Sequence, residues 1–387
     1  MLSILKNAHV FSPEDLGVND VLIGGEKILA VTKKIDLPRE LEAEITDIKG
    51  DRLVPAFIDA HVHAVGGGGE SGPASRVPAV PVSRFTRFGV TSVVSVLGTD
   101  DVTRSISSQI TQVRALVAEG ISAWCHTGGY HLPLATLTGD AKSDIVHVEQ
   151  IIGIGEFAIS DHRSSQPTLD EFLRLASDAY VAGLMTGKAG ILHLHVGDGK
   201  AGLDLIRQSI DASEIPSRVY NPTHCNRNKA LFDEACELTR RGCCIDVTAF
   251  PVEEGDGALW AHEAIIEYLE RGFDPRHITV SSDSGGCLPV FDERGEMLRS
   301  DVGSCEFLPS TLKELLKAGL KLEEVLPIFT TNVARLLKLP HKGRIAADAD
   351  ADLMLLDKDD AIHSVMARGA WHVRKNKILK QGMFEKT

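Results

Sequence analysis

The chain has 387 residues, of which 43% are hydrophobic and 25% are charged, and its formal net charge is -13. These proportions are ordinary for a globular protein and argue against long disordered segments. The negative charge disfavours nucleic acid or an anionic membrane as the main partner, because both repel an acidic surface.

The sequence also indicates a compartment. The first residues, MLSILKNAHVFSPEDLG, contain neither an uninterrupted apolar region nor a small-residue cleavage site, so they predict no signal peptide. No run reaches the roughly 18 apolar residues of a membrane span. The seven cysteines are irregularly spaced and include the adjacent Cys243 and Cys244, which argues against a disulfide framework. We therefore expect a cytoplasmic protein.

Short β-strand patterns occupy both ends of the chain. Residues 1–54 contain SILKNAHVFS, DVLIGGEKILAVTKK and EITDIKGDRLVP, with a hairpin indicated at Gly24 and Gly25. Residues 341–387 have the same texture in ADLMLLD and HSVMARGAWHVRKNKILK. We expect the two ends to pair into one small β domain, with a boundary marked by Pro340 and Gly343.

Residues 55–340 alternate strand patterns with helical patterns. The strand patterns are LVPAFI at 53–58, TSVVSVLG at 91–98, ISAWCHTG at 121–128, IIGIGEFAIS at 151–160, GILHLHVG at 190–197, SRVYNPTH at 217–224, CIDVTAF at 244–250 and ITVSSD at 278–283. Apolar spacing predicts helices at 169–182, 229–241, 258–271 and 322–337, with a break or kink at Pro327. Eight strands that alternate with helices predict a parallel (β/α)8 barrel, which can take up about 250 residues.

Six candidate donor side chains stand at the C-terminal ends of these strands, where such barrels carry their chemistry. His61 and His63 project to the same side, because alternate residues of a strand share a face. The others are Glu156, His195, His224 and Asp283, from strands four, five, six and eight. Each one alone is more often a hydrogen-bonded or capping side chain than a ligand. Together they indicate a metal site, because burying so many ionisable groups without a cation is costly.

With these residues in place, nearly the whole chain resembles the amidohydrolase superfamily and, within it, the bacterial isoaspartyl (β-aspartyl) dipeptidases. The motifs are DVLIGGEKILAV, AFIDAHVH, GGGGESGP, GVTSVVSVLGTD, GGYHLP, AISDHRS, LHVGD, PTHCNRN, VSSDSGG and KGRIAADADADLMLLD. The resemblance implies a (β/α)8 TIM barrel over 55–340 and a small β-sandwich domain built from 1–54 and 341–387. It also implies two divalent metal ions, expected to be Zn2+.

The resemblance divides the six donors between the two ions. His193 shares a face with His195, but the family has no ligand at its position, so we expect it to lie behind the ligands or in the core. Imidazole and carboxylate are suitable ligands for zinc. The implied division is His61, His63 and Asp283 on the first ion, His195 and His224 on the second, and Glu156 bridging both.

The resemblance also implies the catalytic groups. A bridged metal pair can hold a hydroxide at neutral pH, and this hydroxide is the implied nucleophile. Asp283 is then the general base that takes the proton of the nucleophile and, as general acid, passes it to the leaving amine. Tyr130, from GGYHLP, is implied to donate a hydrogen bond to the developing oxyanion.

Five further residues are implied to bind the substrate. Glu70 closes the GGGGE turn and would read a free α-amino group, while Arg163 of ISDHRS and Arg227 of THCNRN would bind two carboxylates. Thr99 of LGTD and Cys287 of DSGGC complete the set. The alternatives are a phosphate cradle for GGGGE, which no GK[ST] follows, surface ion pairs for the arginines, and a turn or helix cap for Thr99.

Two positions depart from the family pattern. Glu156 stands where the family has a carboxylated lysine, and Cys287 stands where it has a serine. Glutamate offers the same terminal carboxylate, but single-bond lengths place its carboxyl carbon roughly 3 to 4 Å nearer to Cα. Either strand four moves inward, or the metals lie deeper, or Glu156 holds one metal and the second is loose; Glu156 could also cap a nearby loop. Gly153 and Gly155 permit a closer backbone approach or a bulge, which favours the inward shift. We therefore expect Glu156 to bridge the metals directly, without carbon dioxide.

The sequence thus predicts a binuclear metal-dependent hydrolase, an isoaspartyl dipeptidase that releases aspartate and an amino acid from a β-aspartyl dipeptide. One alternative is an amidohydrolase that acts on a cyclic amide or an N-acyl amino acid, which the loss of Glu70, Arg163 or Arg227 would have favoured. The other is a metal-free relative kept as a scaffold, which should have lost ligands. Family analogy also implies a homo-oligomer, an octamer.

Overall fold

A computed structural model describes residues 2–38, 40–253, 255, 257–291 and 294–385. The strands are β1 (Leu2–Phe11), β2 (Asp15–Gly24), β3 (Lys27–Thr32), β4 (Ala43–Asp47), β5 (Arg52–Pro55), β6 (Phe57–Val62), β7 (Val90–Ser95), β8 (Ser122–Thr127), β9 (Ile151–Ile159), β10 (Leu192–Val196), β11 (Tyr220–Thr223), β12 (Ile245–Thr248), β13 (Ile278–Ser281), β14 (Cys287–Phe291), β15 (Met297–Val302), β16 (Leu353–Leu356), β17 (Ile362–Ala367), β18 (Ala370–Arg374) and β19 (Lys377–Ile378). The α-helices are α1 (Val82–Thr86), α2 (Ile106–Glu119), α3 (Ala141–His147), α4 (Leu169–Thr186), α5 (Asp204–Ala212), α6 (Lys229–Thr239), α7 (Ala261–Glu270), α8 (Phe307–Lys317), α9 (Leu322–Phe329) and α10 (Thr331–Leu336).

Both ends of the chain contribute to one nine-stranded sheet. Its order is β19-β18-β17-β16-β5-β1-β2-β3, with β4 paired to β1. The two ends meet where β16 runs antiparallel to β5, which places Leu355 opposite Leu53. Apolar residues from both ends, among them Leu5, Val21 and Leu353, form a separate buried cluster. The ends of the chain therefore share one sheet and one small core.

The middle of the chain forms a curled parallel sheet. β6 to β11 pair in sequence order, and β12 and β13 form a second parallel pair. Val62, at the end of β6, makes a parallel bridge with Ser284, which follows β13, so the first and eighth strands adjoin. Every residue of β6, β7, β9 and β10 is buried, as is usual for parallel strands covered on both faces. The predicted parallel α/β organisation is confirmed.

The apolar run at 53–58 is not one strand, so that prediction was wrong. Leu53 lies in β5 of the terminal sheet, whereas Phe57 begins β6 of the curled sheet. Ala56 joins the two strands. The residues on both sides of this junction are buried and mostly apolar. The composition of the run therefore gives no signal of the point where the chain passes from one sheet to the other.

The predicted helices occur, with one difference. The pattern at 322–337 contains two helices, α9 and α10, which divide at Thr330, whereas Pro327 lies inside α9. Pro327 has no N–H donor and its ring crowds the carbonyl one turn before it, which weakens the helix, and α9 ends two residues later at Phe329. Among the described residues, no helix combines the length and apolar character that crossing a membrane requires.

Candidate active site

The six predicted donor side chains converge where the parallel strands end, and each is at most 6% exposed. They are His61 in β6, His63 directly after it, Glu156 in β9, His195 in β10, His224 directly after β11 and Asp283 two residues after β13. This is the end of the sheet where α/β barrels carry their chemistry.

Two of these donors belong to residues with unusual backbone conformations. His224 and Asp283 have φ angles of 59° and 52°, in the left-handed region that non-glycine residues seldom occupy. Such residues cluster at functional sites, where the surrounding fold holds them. Two glycines make room beside the donors. A Cβ on Gly286 would lie 2.0 Å from Asp283 Oδ1, and one on Gly98 would lie 2.6 Å from His63 Cε1.

Four donor atoms form the first half of the site. His61 Nε2 lies 3.3 Å from His63 Nε2, and Asp283 Oδ1 lies 3.4 and 3.1 Å from these two atoms. Glu156 Oε2 lies 3.6 Å from His61 Nε2 and 3.7 Å from His63 Nε2. In a tetrahedral zinc site with bonds of about 2.0–2.1 Å, neighbouring donors lie about 3.3–3.4 Å apart. The spacing of these atoms fits one such ion.

The second half of the site uses the other oxygen of the same carboxylate. Glu156 Oε1 lies 2.7 Å from His195 Nδ1 and 3.2 Å from His224 Nε2. Three groups of donor atoms lie close enough to hold a metal ion: Glu156 with His195 and His224, His61 with His63 and Glu156, and His61 with His224 and Asp283. The third group joins the two halves. Glu156 therefore lies between the two pairs of histidines, where the sequence predicted a bridging carboxylate.

Two buried oxygens support the fit to a cation. Glu156 Oε2 and Asp283 Oδ1 have no hydrogen-bond partner among the described residues. Both belong to the first half of the site, and a buried charged oxygen without a partner is strongly unfavourable. A cation held by these oxygens would satisfy them, so the donor set fits the metal ions that the sequence implies.

A bulge in β9 brings Glu156 to this position. In the pairing of β9 with β10, Leu192 is opposite Ile154 and Leu194 is opposite Phe157, so β9 contains one extra residue. The extra residue lies in the Gly155-Glu156 segment, where a Cβ on Gly155 would meet His193 Cβ at 2.8 Å. The sequence favoured an inward shift of strand four, with a closer backbone approach or a bulge at the glycines, and the structure has a bulge there.

The donors also shift one another's pKa. Burial opposes a charge on His61, but the carboxylates of Glu156 and Asp283 outweigh it and raise the pKa of His61 to about 9. Burial alone would raise the pKa of Glu156. The neighbouring histidines, among which His61 has the largest effect, instead hold the pKa of that carboxyl well below its usual range. Burial lowers the pKa of His224 to about 3. Glu156 therefore stays ionised at neutral pH, which favours a cation beside it.

Other side chains orient two of the histidines from behind. His61 Nδ1 lies 2.8 Å from His193 Nε2, and His193 Nδ1 lies 2.7 Å from Asn221 Oδ1. His224 Nδ1 lies 2.8 Å from Thr248 Oγ1. The expectation that His193 lies behind the ligands is confirmed. Hydrogen bonds to the far nitrogen fix the ring orientation and tautomer of a metal-binding histidine.

Tyr130 lies beside the second half of the site. Its hydroxyl is 2.6 Å from His195 Nδ1 and 3.4 Å from Glu156 Oε1. Burial and then the charge of Glu156 raise the pKa of Tyr130 well above its usual value. The phenol is therefore neutral, and its O–H is available as a hydrogen-bond donor.

Two of the predicted substrate-binding residues, Thr99 and Arg163, contact a third, Glu70. Glu70 Oε1 accepts hydrogen bonds from Thr99 Oγ1 at 3.0 Å and from Arg163 Nη1 at 3.2 Å. The second oxygen, Glu70 Oε2, is buried and has no hydrogen-bond partner in the described part of the chain. The sequence offered Thr99 as a further candidate for binding a substrate carboxylate, beside the two arginines; in the structure its hydroxyl contacts Glu70. Glu70 Oε2 is an open acceptor for a ligand.

Arg227 and Cys287 lie on other walls of the same space. Arg227 Nη1 is 3.5 Å from Asp198 Oδ2, and Cys287 Sγ is 2.8 Å from Ser300 Oγ. Burial raises the pKa of Cys287 to about 11, so this thiol is neutral at physiological pH. Both residues line a cavity of about 1170 Å³ that also contains Glu70 and the donors other than His61. The structure therefore brings the predicted metal and substrate residues to one cavity.

Arg104 is a residue of this site that the sequence did not indicate. Its buried guanidinium donates to Gly67 O at 2.7 Å and pairs with Asp100 Oδ2 at 2.6 Å. It also lies 3.4 Å from Gly68 O, so it holds the glycine turn that precedes Glu70. An arginine on a loop carries no sequence signal for such a role, because its partners are set by the tertiary fold. Asp161, also unassigned from the sequence, contacts both His195 and Arg163.

Comparison with known proteins places the chain. A model described as the amidohydrolase family matches residues 158–374. The structure of a β-aspartyl dipeptidase from Fervidobacterium islandicum AW-1 in complex with β-Asp-Leu dipeptide is 42% identical, covers 100% of both chains and has a TM-score of 0.93. An imidazolonepropionase of Anaeromyxobacter dehalogenans is 24% identical over 97% of this chain and 93% of its own length.

More distant structures share the fold. A dihydropyrimidinase from Brevibacillus agri NCHU1002 is 18% identical, with a TM-score of 0.70 and coverage of 99% of this chain and 97% of that one. The family model spans more than half of the chain, and the Fervidobacterium structure matches its whole length. The chain belongs to the amidohydrolase family and, within it, groups with the β-aspartyl dipeptidases.

Proposed function

We propose that this protein is a metal-dependent hydrolase that cleaves the β-aspartyl bond of dipeptides and releases aspartate and an amino acid. The observation that carries the proposal is that the donors other than His61 line the same cavity as Glu70 and Arg163, which pair with each other. A β-aspartyl dipeptide has an amide bond to cleave, an α-amino group and two carboxylates. The identity of 42% to a β-aspartyl dipeptidase supports the same assignment.

Two divalent metal ions, which we take to be Zn2+, suit the donor set. When bound, they supply Lewis acidity and water that is acidic enough to react near neutral pH. The residues proposed to hold them are His61, His63 and Asp283 for one ion, His195 and His224 for the other, and Glu156 for both.

Asp283 and Tyr130 are the proposed catalytic residues. The Asp283 carboxylate accepts a proton from the attacking water and returns it to the amide nitrogen as the C–N bond breaks. For this role it must be ionised, and His61 and His63 hold its pKa below the usual range although burial opposes them. Tyr130 donates its O–H to the carbonyl oxygen as negative charge develops there.

The substrate is proposed to be bound by its charges. Glu70 Oε2, the open acceptor, would receive the α-ammonium group, with Thr99 fixing the carboxylate through Oε1. Arg227 would bind one carboxylate, since a guanidinium matches that group with two parallel donors. Arg163 would bind the other through Nη1, because Asp161 occupies its Nε and Nη2. Cys287 would line the site as a neutral thiol.

The alternative is an amidohydrolase that acts on a cyclic amide or an N-acyl amino acid. Dihydroorotases are among the relatives, at 25% identity for the one from Aquifex aeolicus. A cyclic amide or an N-acyl group brings no free ammonium to the buried oxygen of Glu70. This mismatch is why we favour the dipeptide. A metal-free scaffold is disfavoured because all six donors are present.

We further propose that β6 to β13 close into a (β/α)8 TIM barrel, with 55–340 as the hydrolase domain. Residues 1–54 and 341–387 are proposed to form a small β-sandwich domain. The sharing of one sheet and one apolar cluster by the two ends supports this division. Assembly into an octamer stays a prediction from family analogy.

The test is turnover of β-Asp-Leu against α-Asp-Leu by protein purified without chelator, together with its metal content. We expect cleavage of β-Asp-Leu, little cleavage of α-Asp-Leu and about two divalent ions per chain, since six donors exceed one tetrahedral site. Activity retained with a metal content near zero would contradict the metal chemistry. Equal turnover of the two peptides would contradict the proposed specificity.

A further inference from the structure

Asp161 connects the metal half of the site with the substrate half. Its Oδ2 lies 2.9 Å from His195 Nε2 and 2.8 Å from Arg163 Nη2. Its Oδ1 accepts from Arg163 Nε at 3.0 Å and from the Arg163 backbone N–H at 2.8 Å. The side chain is 4% exposed, so it is shielded from competing water. One carboxylate thus contacts a proposed metal ligand and a proposed substrate-binding arginine.

Both ring nitrogens of His195 face a carboxylate oxygen: Nε2 lies 2.9 Å from Asp161 Oδ2, and Nδ1 lies 2.7 Å from Glu156 Oε1. An ionised carboxylate only accepts hydrogen bonds, so when a cation takes the lone pair of Nδ1, the ring proton lies on Nε2, where Asp161 accepts it. Nδ1 then presents its lone pair to Glu156 Oε1, 2.7 Å away. Two electron pairs at this separation repel each other, and the Tyr130 hydroxyl beside them has one proton to donate, so a cation between Nδ1 and Oε1 removes the repulsion. Asp161 therefore holds His195 in the form that binds a metal through Nδ1.

The contacts of Asp161 with Arg163 determine which nitrogen of the guanidinium faces the cavity. Asp161 occupies the Nε and Nη2 edge in a bidentate pair. Nη1 remains, and it points to Glu70 Oε1 at 3.2 Å inside the cavity. The ring of Tyr130 lies 5.5 Å from the Arg163 carbon CZ and further restricts the side chain. Asp161 therefore orients Arg163 so that Nη1 faces the place where the substrate is proposed to bind.

We propose that Asp161 is a positioning residue that sets the tautomer of His195 for metal binding and the orientation of Arg163 for substrate binding. It does not belong to the donor groups that could hold a metal, so it acts through these two neighbours. The second role rests on the proposed dipeptidase function. The first depends only on metal binding by His195.

The test for the metal role is zinc affinity in Asp161→Asn, measured by competition with a chelator and without substrate. An asparagine presents one oxygen and one NH2 group, so it cannot accept from both His195 Nε2 and the backbone N–H of Arg163. Loss of a partner behind a ligand typically weakens metal binding by about 10- to 100-fold. We expect that loss for one of the two zinc equivalents, with the other unchanged.

The matched control is Asp198→Asn. Asp198 also faces an active-site arginine, with Oδ2 3.5 Å from Arg227 Nη1, but its side chain is 64% exposed, and in the described part of the chain it pairs with no histidine. We expect this variant to bind both zinc equivalents as the unmodified protein does. If Asp161→Asn does not fold, the double variant Asp161→Asn with Arg163→Met replaces it, because it removes the guanidinium that would otherwise lose its bidentate partner.

The substrate role is tested by KM. In Arg163→Met, where Asp161 still faces His195, zinc affinity should stay within about twofold while KM for β-Asp-Leu rises at least tenfold. Asp161→Asn should show both effects. Wild-type zinc affinity in the folded Asp161→Asn protein, or in the double variant, overturns the tautomer role. An unchanged KM in Asp161→Asn overturns the orientation role. Lack of dipeptidase activity in the unmodified protein would reject the proposed function and leave the zinc result standing.

Discussion

The hydroxyl of Tyr130 lies at the boundary between the metal donors and the open cavity. It is 2.6 Å from His195 Nδ1 and keeps its proton at physiological pH. A ligand oxygen placed beside it would accept that proton as a hydrogen bond. The energetic effect is greatest when the oxygen carries the negative charge of the transition state, because the donor is already in place.

Tyr130→Phe is therefore expected to lower kcat on β-Asp-Leu by roughly 10²- to 10³-fold with little change in KM, as for removal of one oxyanion donor. The measurement is steady-state kinetics of both proteins at equal metal content. The ring and its contact with Arg163 remain, so binding should survive. If KM changes and kcat does not, Tyr130 binds the substrate and does not stabilise the transition state.

Glu70 and Arg227 are expected to bind different charged groups of the same substrate. Glu70→Gln and Arg227→Met should each lower kcat/KM on β-Asp-Leu by roughly 10- to 100-fold, since a hydrogen bond to a charged group contributes about 1.5–3 kcal/mol. N-succinyl-leucine is the matched substrate, because it lacks the α-amino group and keeps both carboxylates. The effect of Glu70→Gln should disappear on it, and that of Arg227→Met should persist.

A result in which both variants lose equally on both substrates would show that these residues shape the cavity and do not read the ligand. Glu70 has a further partner in Arg163, at 3.2 Å, so its replacement also frees that arginine. For this reason zinc content is measured in each variant, and it should not change.

At the residue scale, the sequence predicted the donors but not their partners. His195 and His224 could be found because each stands at the end of an apolar strand pattern. Asp161 and Thr248 could not, because they contact these histidines from other segments of the chain, 34 and 24 residues away. Such contacts depend on how neighbouring loops fold over the strand ends, which a local pattern does not encode.

At the scale of single elements, β9 has the greatest effect on the site. Its bulge compensates for the short reach of a glutamate, since it places both oxygens of Glu156 within 3.7 Å of histidine nitrogens on either side. The glycines in this strand allow the close approach. A Cβ on Gly153 would lie 2.7 Å from Ile191 O in the neighbouring segment.

This geometry predicts that carbon dioxide has no role. Activity should be unchanged when bicarbonate is stripped from the buffer, because the carboxylate of Glu156 is part of the side chain. Glu156→Ala should lose metal and turnover together, since it removes the group shared by both donor sets. Glu149→Ala, in an exposed position just before β9, is the matched control and should retain both. A fully metallated and active Glu156→Ala protein would falsify the bridge.

Element boundaries were less predictable than element types. The division of 53–58 between β5 and β6 depends on which partner strand each half meets, and both halves are equally apolar. Similarly, Pro327 is a local signal for a helix break, but α9 continues to Phe329. In both cases packing with distant segments overrides a pattern that covers only a few residues.

For the molecule as a whole, the donor cluster is a concentration of buried charge inside a parallel sheet. Lys342 illustrates how the fold handles such charge elsewhere: its buried ammonium donates to Ser122 Oγ at 2.6 Å and pairs with Asp350 at 2.8 Å. That charge has protein partners. Glu156 Oε2 and Asp283 Oδ1 have no hydrogen-bond partner among the described residues. In the metal-free fold their charge is compensated only in part, by His61, whose pKa these carboxylates raise to about 9.

Metal removal should therefore lower the thermal stability of the protein. A ligand that binds the native state alone stabilises it by about 2.7 kcal/mol at a free concentration 100 times its Kd. Chelation should lower the unfolding midpoint, and added zinc should restore it in proportion to the ions rebound. The measurement is thermal unfolding by circular dichroism, with metal content determined on the same samples. Glu156→Ala supplies the control, because a protein that has lost both donor sets should unfold at the same temperature with and without chelator. An unmodified protein whose midpoint is unaffected by chelator, although its metal is gone, would show that the donors are satisfied without a cation.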